Sequence, residues 1–410
     1  MEERAQITTG QIATHNRRDE RNVSPPTGGL PVRTNLRMPR GYPALVMDKV
    51  MFEFEKKRND VLKPINFCQA GSSFNPFDHV DVAFSRTALG KHTAYTNVNG
   101  QMSLRKALSR YYGEKFDYDL APERICITVG ATEALAIAFA MLTEPGSEII
   151  LATSHYPPYR CVAHMFGVHC RFAPINERNC IDVTQVSDLI TPQTAAIVIN
   201  SPSNPHGTFL SAAELAVITD LGVPVIFDEV YQALGLTDLP IPSAISHSEH
   251  HFIANSFSKS LSLAGFRVGY LIVPESEIGL MTDIKAITAF CTSSPSQAIA
   301  ERLLADWDYL LTSHKALLRE RWQHFAACAD ANGLTLLAPP QAGLYGLVDI
   351  AQYGRSSTRV ALDLARDWAI GVAPGSDFYI SDPYYLRLNY AAPLEQIEVG
   401  LQRIATYLQS

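Results

Sequence analysis

Lys259 stands in "NSFSKSLSLAGFRVGY" (Asn255–Tyr270) as the only ionisable side chain in the eleven residues from Asn255 to Gly265. An amine isolated among serines and small residues can attack a carbonyl once its surroundings lower its basicity. Ser256 precedes it by three residues and Arg267 follows it by eight, and both side chains suit an anion. Further upstream, Asp228 and Tyr231 stand three apart in "DEVY", directly after the apolar run "PVIF". A carboxylate at the end of a buried strand is costly unless paired, so a structural ion pair would explain Asp228 as well as a ligand would. Asn204 heads "NPHG", whose Pro and Gly are turn residues; its own amide side chain is left for a ligand. Tyr156 in "SHYPPY" offers a flat face for stacking a ring. Gly130-Ala131-Thr132-Glu133 follows "ICITV" as a glycine turn opening a helix. Backbone N–H groups at a helix start attract phosphate, although a glycine there is more often only a tight turn.

Each of these groups follows a short apolar run. "ICITV", "EIILAT", "AAIVIN", "PVIFDE", "FIANSF" and "VGYLIV" are rich in Ile and Val, and stretches of period 3.6 such as "ATEALAIAFAML" and "SAAELAVITDLG" lie between several of them. Buried strands alternating with helices predict an α/β fold, a mostly parallel central sheet sandwiched by helices. Ligand groups in such a sheet gather beyond the carboxyl ends of the strands. After about Thr292 the texture changes. "AIAERLLADWDYLLTSHKALLRERWQHFAACADANG" predicts one long helix ending at Gly333, followed by the short strands and helices of a smaller α+β C-terminal domain. A helical pattern also starts near Pro43, a residue suited to a first turn. Residues 1–40 are polar, contain "NVSPPTGGLPVR" and show no periodic apolar face, so they read as a flexible N-terminal arm.

The bulk properties exclude several classes. With 47% hydrophobic and 18% charged residues among 410, the chain has an ordinary globular balance and is long enough for two core-forming units. A net charge of −7 and the lack of basic clusters with interleaved aromatics argue against nucleic acid. The longest apolar run, Ala134 to Leu142, is too short to span a bilayer. The polar, acid-bearing N-terminus lacks a signal-peptide core. Seven cysteines (68, 126, 161, 170, 180, 291, 328) are scattered without a C-x-x-C pair, which fits reduced cytoplasmic thiols better than disulfides or a metal site.

A single ligand would occupy all the singled-out groups: one with a phosphate, a flat ring, a basic ring nitrogen and an aldehyde. That is pyridoxal 5′-phosphate, with which a lysine forms a Schiff base while an Asp keeps the ring nitrogen protonated. In this light "S-F-S-K-x-x-x-L-A-G-F-R-V-G-Y", "N-P-H-G-T", "D-E-V-Y" and "Y-T-N-V-N-G-x-x-x-L-R" carry a resemblance. In order and spacing they resemble the fold-type I pyridoxal-phosphate enzymes of the aspartate aminotransferase superfamily (class I/II aminotransferases), over residues 65–405. The resemblance implies that Lys259 forms the Schiff base and moves the Cα proton. Asp228 would pair with the pyridine nitrogen, Tyr231 and Asn204 would bond the 3′ oxygen, and Tyr156 would stack on the ring. Ala131, Thr132, Ser256 and Arg267 would hold the phosphate, and Tyr95 would reach the phosphate of a neighbouring subunit, implying a homodimer with shared sites. Arg387 in "YYLRLNYAAP" would bind the substrate carboxylate. Period-2 alternation places it with Tyr385 and Asn389, on the face away from Leu386 and Leu388, so it need not be buried with them. The implied division is an arm 1–40, a segment 41–80 packing on the small domain and pocket, a large cofactor-binding domain 81–290 and a small domain 291–410. One departure stands out: where the family commonly carries G-x-P-x-F at the substrate pocket, this chain has "QAGSSFNPF", with Gly71 kept and the first proline absent. The leading expectation is an aminotransferase acting on an α-amino acid. A pyridoxal-phosphate cyclase, oxidase or β/γ-eliminating lyase of specialised metabolism, acting on an arginine-like or other amino acid, is the alternative. A non-catalytic regulatory module is disfavoured because residues 1–40 are too short and irregular for a DNA-binding helix-turn-helix.

Overall fold

Strongly apolar segments form the centre of the molecule. The computed structural model describes residues 43–56, 62–69, 71–82, 90–379 and 384–410; the expected arm, 1–40, lies outside them. Twelve strands are described: β1 (Ile65–Asn66), β2 (Ile125–Thr128), β3 (Glu148–Ala152), β4 (His169–Ala173), β5 (Thr194–Asn200), β6 (Val225–Asp228), β7 (Phe252–Ser256), β8 (Gly269–Ile272), β9 (Tyr345–Asp349), β10 (Ile370–Gly371), β11 (Ala373–Pro374) and β12 (Tyr385–Asn389). Seven of these make the main sheet in the order β2-β8-β7-β6-β5-β3-β4. All neighbours are parallel except those of β8, which is antiparallel to both β2 and β7. β2, β6 and β8 are buried along their whole length, which is why they read as unbroken apolar runs. The chain runs outward from β3 to β4 and then returns to the other side of β3 as β5. This makes a switch point between β3 and β5, where such sheets hold ligands.

The second sheet, β11-β12-β9, is antiparallel. β1 pairs with β10, Ile65 opposite Ile370, and so carries the segment after it toward this sheet. The main sheet lies wholly before residue 290 and the three-stranded sheet wholly after it. The helix expected near Pro43 spans Pro43–Lys56.

Two expectations require correction. The long helix is broken into Ser294–Leu304 and Trp307–Ala331. At the break Trp307 turns inward, its ring lying 4.9 Å from that of Tyr111 and 6.3 Å from that of Phe257. A continuous helix would carry the indole past this aromatic cluster. The second correction concerns Arg387. β12 is the middle strand of its sheet and is buried along both faces, so Arg387 is only 3% exposed.

Candidate active site

Side chains from distant parts of the chain enclose a cavity of about 380 Å³ beyond the carboxyl ends of the main-sheet strands. One group of lining residues comes from the start of the Gly130–Leu142 helix and from the β7–β8 connection: Ala131, Thr132, Ser256, Ser258 and Arg267. Gly130 opens the helix with φ of +70°, and a Cβ there would lie 2.6 Å from Nη2 of Arg267. The guanidinium therefore rests against the helix start, and its Nη1 donates to the Ala264 carbonyl at 3.0 Å. Ser256 caps the short Phe257–Ser260 helix by accepting from the Ser258 N–H at 3.0 Å, and this helix carries Lys259. Behind the cradle, Glu133 accepts from the Val129 N–H at 2.6 Å and from Lys285 Nζ at 2.7 Å, a buried pair that fixes the first helical turn. Hydroxyls, a guanidinium and the positive end of a helix form a site for a phosphate dianion.

Asp228 closes β6 and is buried. Tyr159 OH donates to its Oδ2 at 2.6 Å and the Val230 N–H to its Oδ1 at 3.3 Å. Burial raises its pKa to about 6, and those two bonds and the Lys259 charge oppose the rise. Lys259 moves the other way, to about 8: desolvation is the largest cause, followed by the positive charges of Arg387 and Arg267. An amine with that pKa is neutral in a useful fraction of molecules near neutrality, as a nucleophile or proton carrier must be. Tyr156 lines the same cavity with its ring edge-on to Tyr159, centroids 5.5 Å apart. Tyr231 shares a hydrogen bond of 3.0 Å with the Tyr345 hydroxyl.

Arg387 enters from β12. Its Nη1 donates to Asn204 Oδ1 at 3.1 Å and its Nη2 to the Cys68 carbonyl at 2.5 Å. The guanidinium lies between two rings, 4.1 Å from the centroid of Tyr345 and 4.7 Å from that of Phe378. Its Nε is buried with no hydrogen-bond partner among the described residues. A planar cation held between two aromatic rings, with a donor still unsatisfied, suits a carboxylate. Asn204 itself is fixed by its own N–H, which donates to Asn200 Oδ1 at 2.7 Å.

The cavity thus brings together Ala131, Thr132, Tyr156, Asn204, Asp228, Tyr231, Ser256, Lys259, Arg267 and Arg387, all singled out from the sequence. Gly71 is not among its lining residues; its carbonyl accepts from Asn389 Nδ2 instead. Tyr95 is also outside it, 83% exposed and edge-on to Phe290. Sequence reasoning missed Tyr159, the donor to Asp228, although "SHYPPY" places it three residues beyond Tyr156. It also missed Met47 and Met51, which line the cavity from the first helix, and Tyr345, which supports both Tyr231 and Arg387. The parts fit pyridoxal phosphate: the glycine-opened cradle receives a phosphate, and the buried Asp228 carboxyl answers a cationic ring nitrogen.

Comparison with known proteins points the same way. The family model "Aminotransferase class I and II" matches residues 63–404. The "Probable N-acetyl-LL-diaminopimelate aminotransferase" of Bacillus subtilis is 29% identical over 339 residues, 80% of this chain and 85% of that protein. The valine–pyruvate aminotransferase of Mycobacterium tuberculosis is 28% identical, over 77% of this chain and 84% of its own. Among solved structures, an aminotransferase from Mycobacterium tuberculosis superposes with a TM-score of 0.81 at 25% identity, covering 92% of this chain and 99% of that one. A mutant Thermus thermophilus aspartate aminotransferase, at 23% identity, shares the fold with a TM-score of 0.83 over 92% of this chain and 99% of its own.

Proposed function

The chain belongs to the class I and II aminotransferases, and from that premise we propose that Lys259, Asp228 and Arg387 are the groups that perform transamination of an α-amino acid. The protein is a pyridoxal-phosphate-dependent aminotransferase. The observation carrying the residue assignment is the meeting of those three side chains with Asn204, Tyr231 and Arg267 around one cavity. Bound pyridoxal phosphate supplies an aldehyde for the substrate amine and a protonated ring that takes up electron density from Cα. Arg387 receives the substrate carboxylate and fixes the direction of the Cα–H bond. Lys259, its basicity lowered, would take up and carry the Cα proton of the substrate. Asp228 would keep the proton on the ring nitrogen, and Tyr159 holds the Asp228 carboxylate in place. Asn204 and Tyr231 would serve the ring oxygen, Tyr156 would cover the ring face, and Ala131, Thr132, Ser256 and Arg267 would hold the phosphate. Gly71 contributes to the pocket through the segment it belongs to.

The same reading takes the enzyme as a cytoplasmic homodimer, with residues 81–290 and 291–410 as its large and small domains. Support for the dimer comes from apolar side chains left at the surface: Tyr95, Ile287 (85% exposed) and Phe290 (48% exposed). Among the described residues no helix is long and apolar enough to cross a membrane, and the seven cysteines form no disulfide. The aminotransferase names of the relatives favour transamination over cyclisation, oxidation or elimination. A half-reaction tests the outcome. Mixing the loaded enzyme with its amino acid and no acceptor is expected to give one equivalent of 2-oxo acid and then stop. Sustained turnover without an acceptor, or oxygen uptake, would contradict transamination while leaving the cofactor residues in place.

A further inference from the structure

One buried titratable group takes no part in the transamination chemistry. His314, on the Trp307–Ala331 helix, has no solvent exposure. Its Nδ1 lies 2.9 Å from the Ser260 carbonyl oxygen, and its Nε2 lies 2.9 Å from Ser72 Oγ. A carbonyl can only accept, so Nδ1 carries the hydrogen; Nε2 is then the acceptor and the Ser72 hydroxyl donates to it. The ring is stacked on Phe74 with centroids 4.5 Å apart and planes 10° from parallel. Burial pulls its pKa down to about 4, opposed by the bond to Ser260, so the ring stays neutral.

The two ends of this imidazole touch different parts of the site. Ser260 is the last residue of the Phe257–Ser260 helix, next to Lys259. Ser72 lies in the segment after β1, where Cys68 and Gln69 line the cavity. That segment is held on its other side by β12 and the residues just beyond it. Asn389 Nδ2 donates to the Gln69 carbonyl at 3.0 Å, and the Ser73 N–H donates to the Ala391 carbonyl at 2.9 Å. Ser72 Oγ also accepts from the Phe74 N–H at 3.1 Å. His314 is therefore the bridge from this wall to the turn of the catalytic lysine, while Asn389 and Ala391 bridge it to the strand of Arg387.

We propose that His314 is a positioning residue, setting the distance between the segment after β1, which lines the pocket at Cys68 and Gln69, and the turn that carries Lys259. The proposal rests on Lys259 and Arg387 having the roles assigned to them under the proposed function. A side chain that only filled space would need neither ring nitrogen, whereas here each is committed to a different segment. The two bonds can be removed separately. His314→Asn keeps a donor at the Nδ1 position and loses the acceptor for Ser72. His314→Gln places an amide oxygen where Nε2 was and loses the donor to Ser260. Ser72→Ala removes one partner and leaves the imidazole intact.

The measurements are steady-state kinetics, the pH midpoint of the cofactor's visible absorption, and hydrogen exchange of peptides from the two segments. His314→Asn and Ser72→Ala should raise KM for the amino acid by about 2- to 10-fold, the effect of one lost neutral hydrogen bond. They should leave kcat and the absorption midpoint in place and speed exchange only in the segment after β1. His314→Gln should lower kcat, shift the midpoint and speed exchange only in the Lys259 turn. If all three variants change these quantities alike, or lower only the melting temperature, the proposal fails. If neither His314 variant folds, Ser72→Ala decides alone: an unchanged KM and exchange pattern would overturn it. Borohydride trapping of the wild-type enzyme separates this from the functional reading. Label on a lysine other than Lys259 would sink that reading and leave the exchange pattern standing.

Discussion

Asp228 is the residue at which function opposes stability. Its carboxyl has an ordinary pKa of 3.8 when the chain is unfolded and about 6 when folded and buried. A raised carboxyl contributes stability that is full below pH 3.8 and lost as pH rises through about 6. The shift corresponds to about 3 kcal/mol at neutral pH. Cofactor-free Asp228→Asn should therefore melt higher than cofactor-free wild type at pH 8 and show no such gain near pH 3.5, while the loaded variant loses most of its turnover. Calorimetry at the two pH values checks the first part; an equal difference at both would show that the buried charge is not the cause. Tyr159→Phe should act in the opposite sense on the carboxylate, removing its 2.6 Å donor and raising its pKa further. Lys259, Asp228, Asn204, Arg267 and Arg387 were legible because each carries its chemistry in a motif at or beside a strand. Tyr159 and His314 were not, because their partners are 69 and 54 residues away and nothing local marks the pairing.

At the scale of elements, the cradle depends on one backbone angle. Gly130→Ala would pay the left-handed penalty of about 1–2 kcal/mol and push a methyl against Arg267. Absorbance titration should show cofactor affinity at least about tenfold weaker, since displaced phosphate donors are charge-assisted, with the fold retained. Unchanged affinity would mean that Arg267 does not serve the phosphate. The six apolar runs became six strands of the main sheet because burial on both faces leaves an unbroken signal. The seventh, His169–Ala173, lies at the sheet edge and is only partly buried, and its "HCRFA" has no such run. The helix break at Ala305–Asp306 was hidden because helical periodicity continues on both sides and only the aromatic cluster around Trp307 selects the turn. The missing proline of "QAGSSFNPF" now has a physical counterpart: a proline in place of Ser73 would lack the N–H that bonds Ala391.

For the whole molecule, the dimer reading predicts complementation. Tyr95→Phe subunits and Lys259→Ala subunits, unfolded together and refolded as a mixture, should regain activity above the sum of the two parents, because each hybrid then contains one site with both native residues. A mixture no better than its parents, or a fully active monomer by sedimentation, would end the shared-site reading. The periodicity of the sequence carried the layered architecture, but it held no information on which surface faces a second copy; the exposure of Tyr95, Ile287 and Phe290 bears on that. The buried carboxyl of Asp228 has one more consequence, for how long the enzyme lasts. A ligand that binds only the native chain stabilises it by mass action, and a chain that opens more often is cut more often. Limited proteolysis should therefore run faster on the cofactor-free protein and slow as pyridoxal phosphate is added. In a cell short of the vitamin that supplies this cofactor, the enzyme would be degraded as well as idle, so that its abundance follows the supply of the molecule it needs.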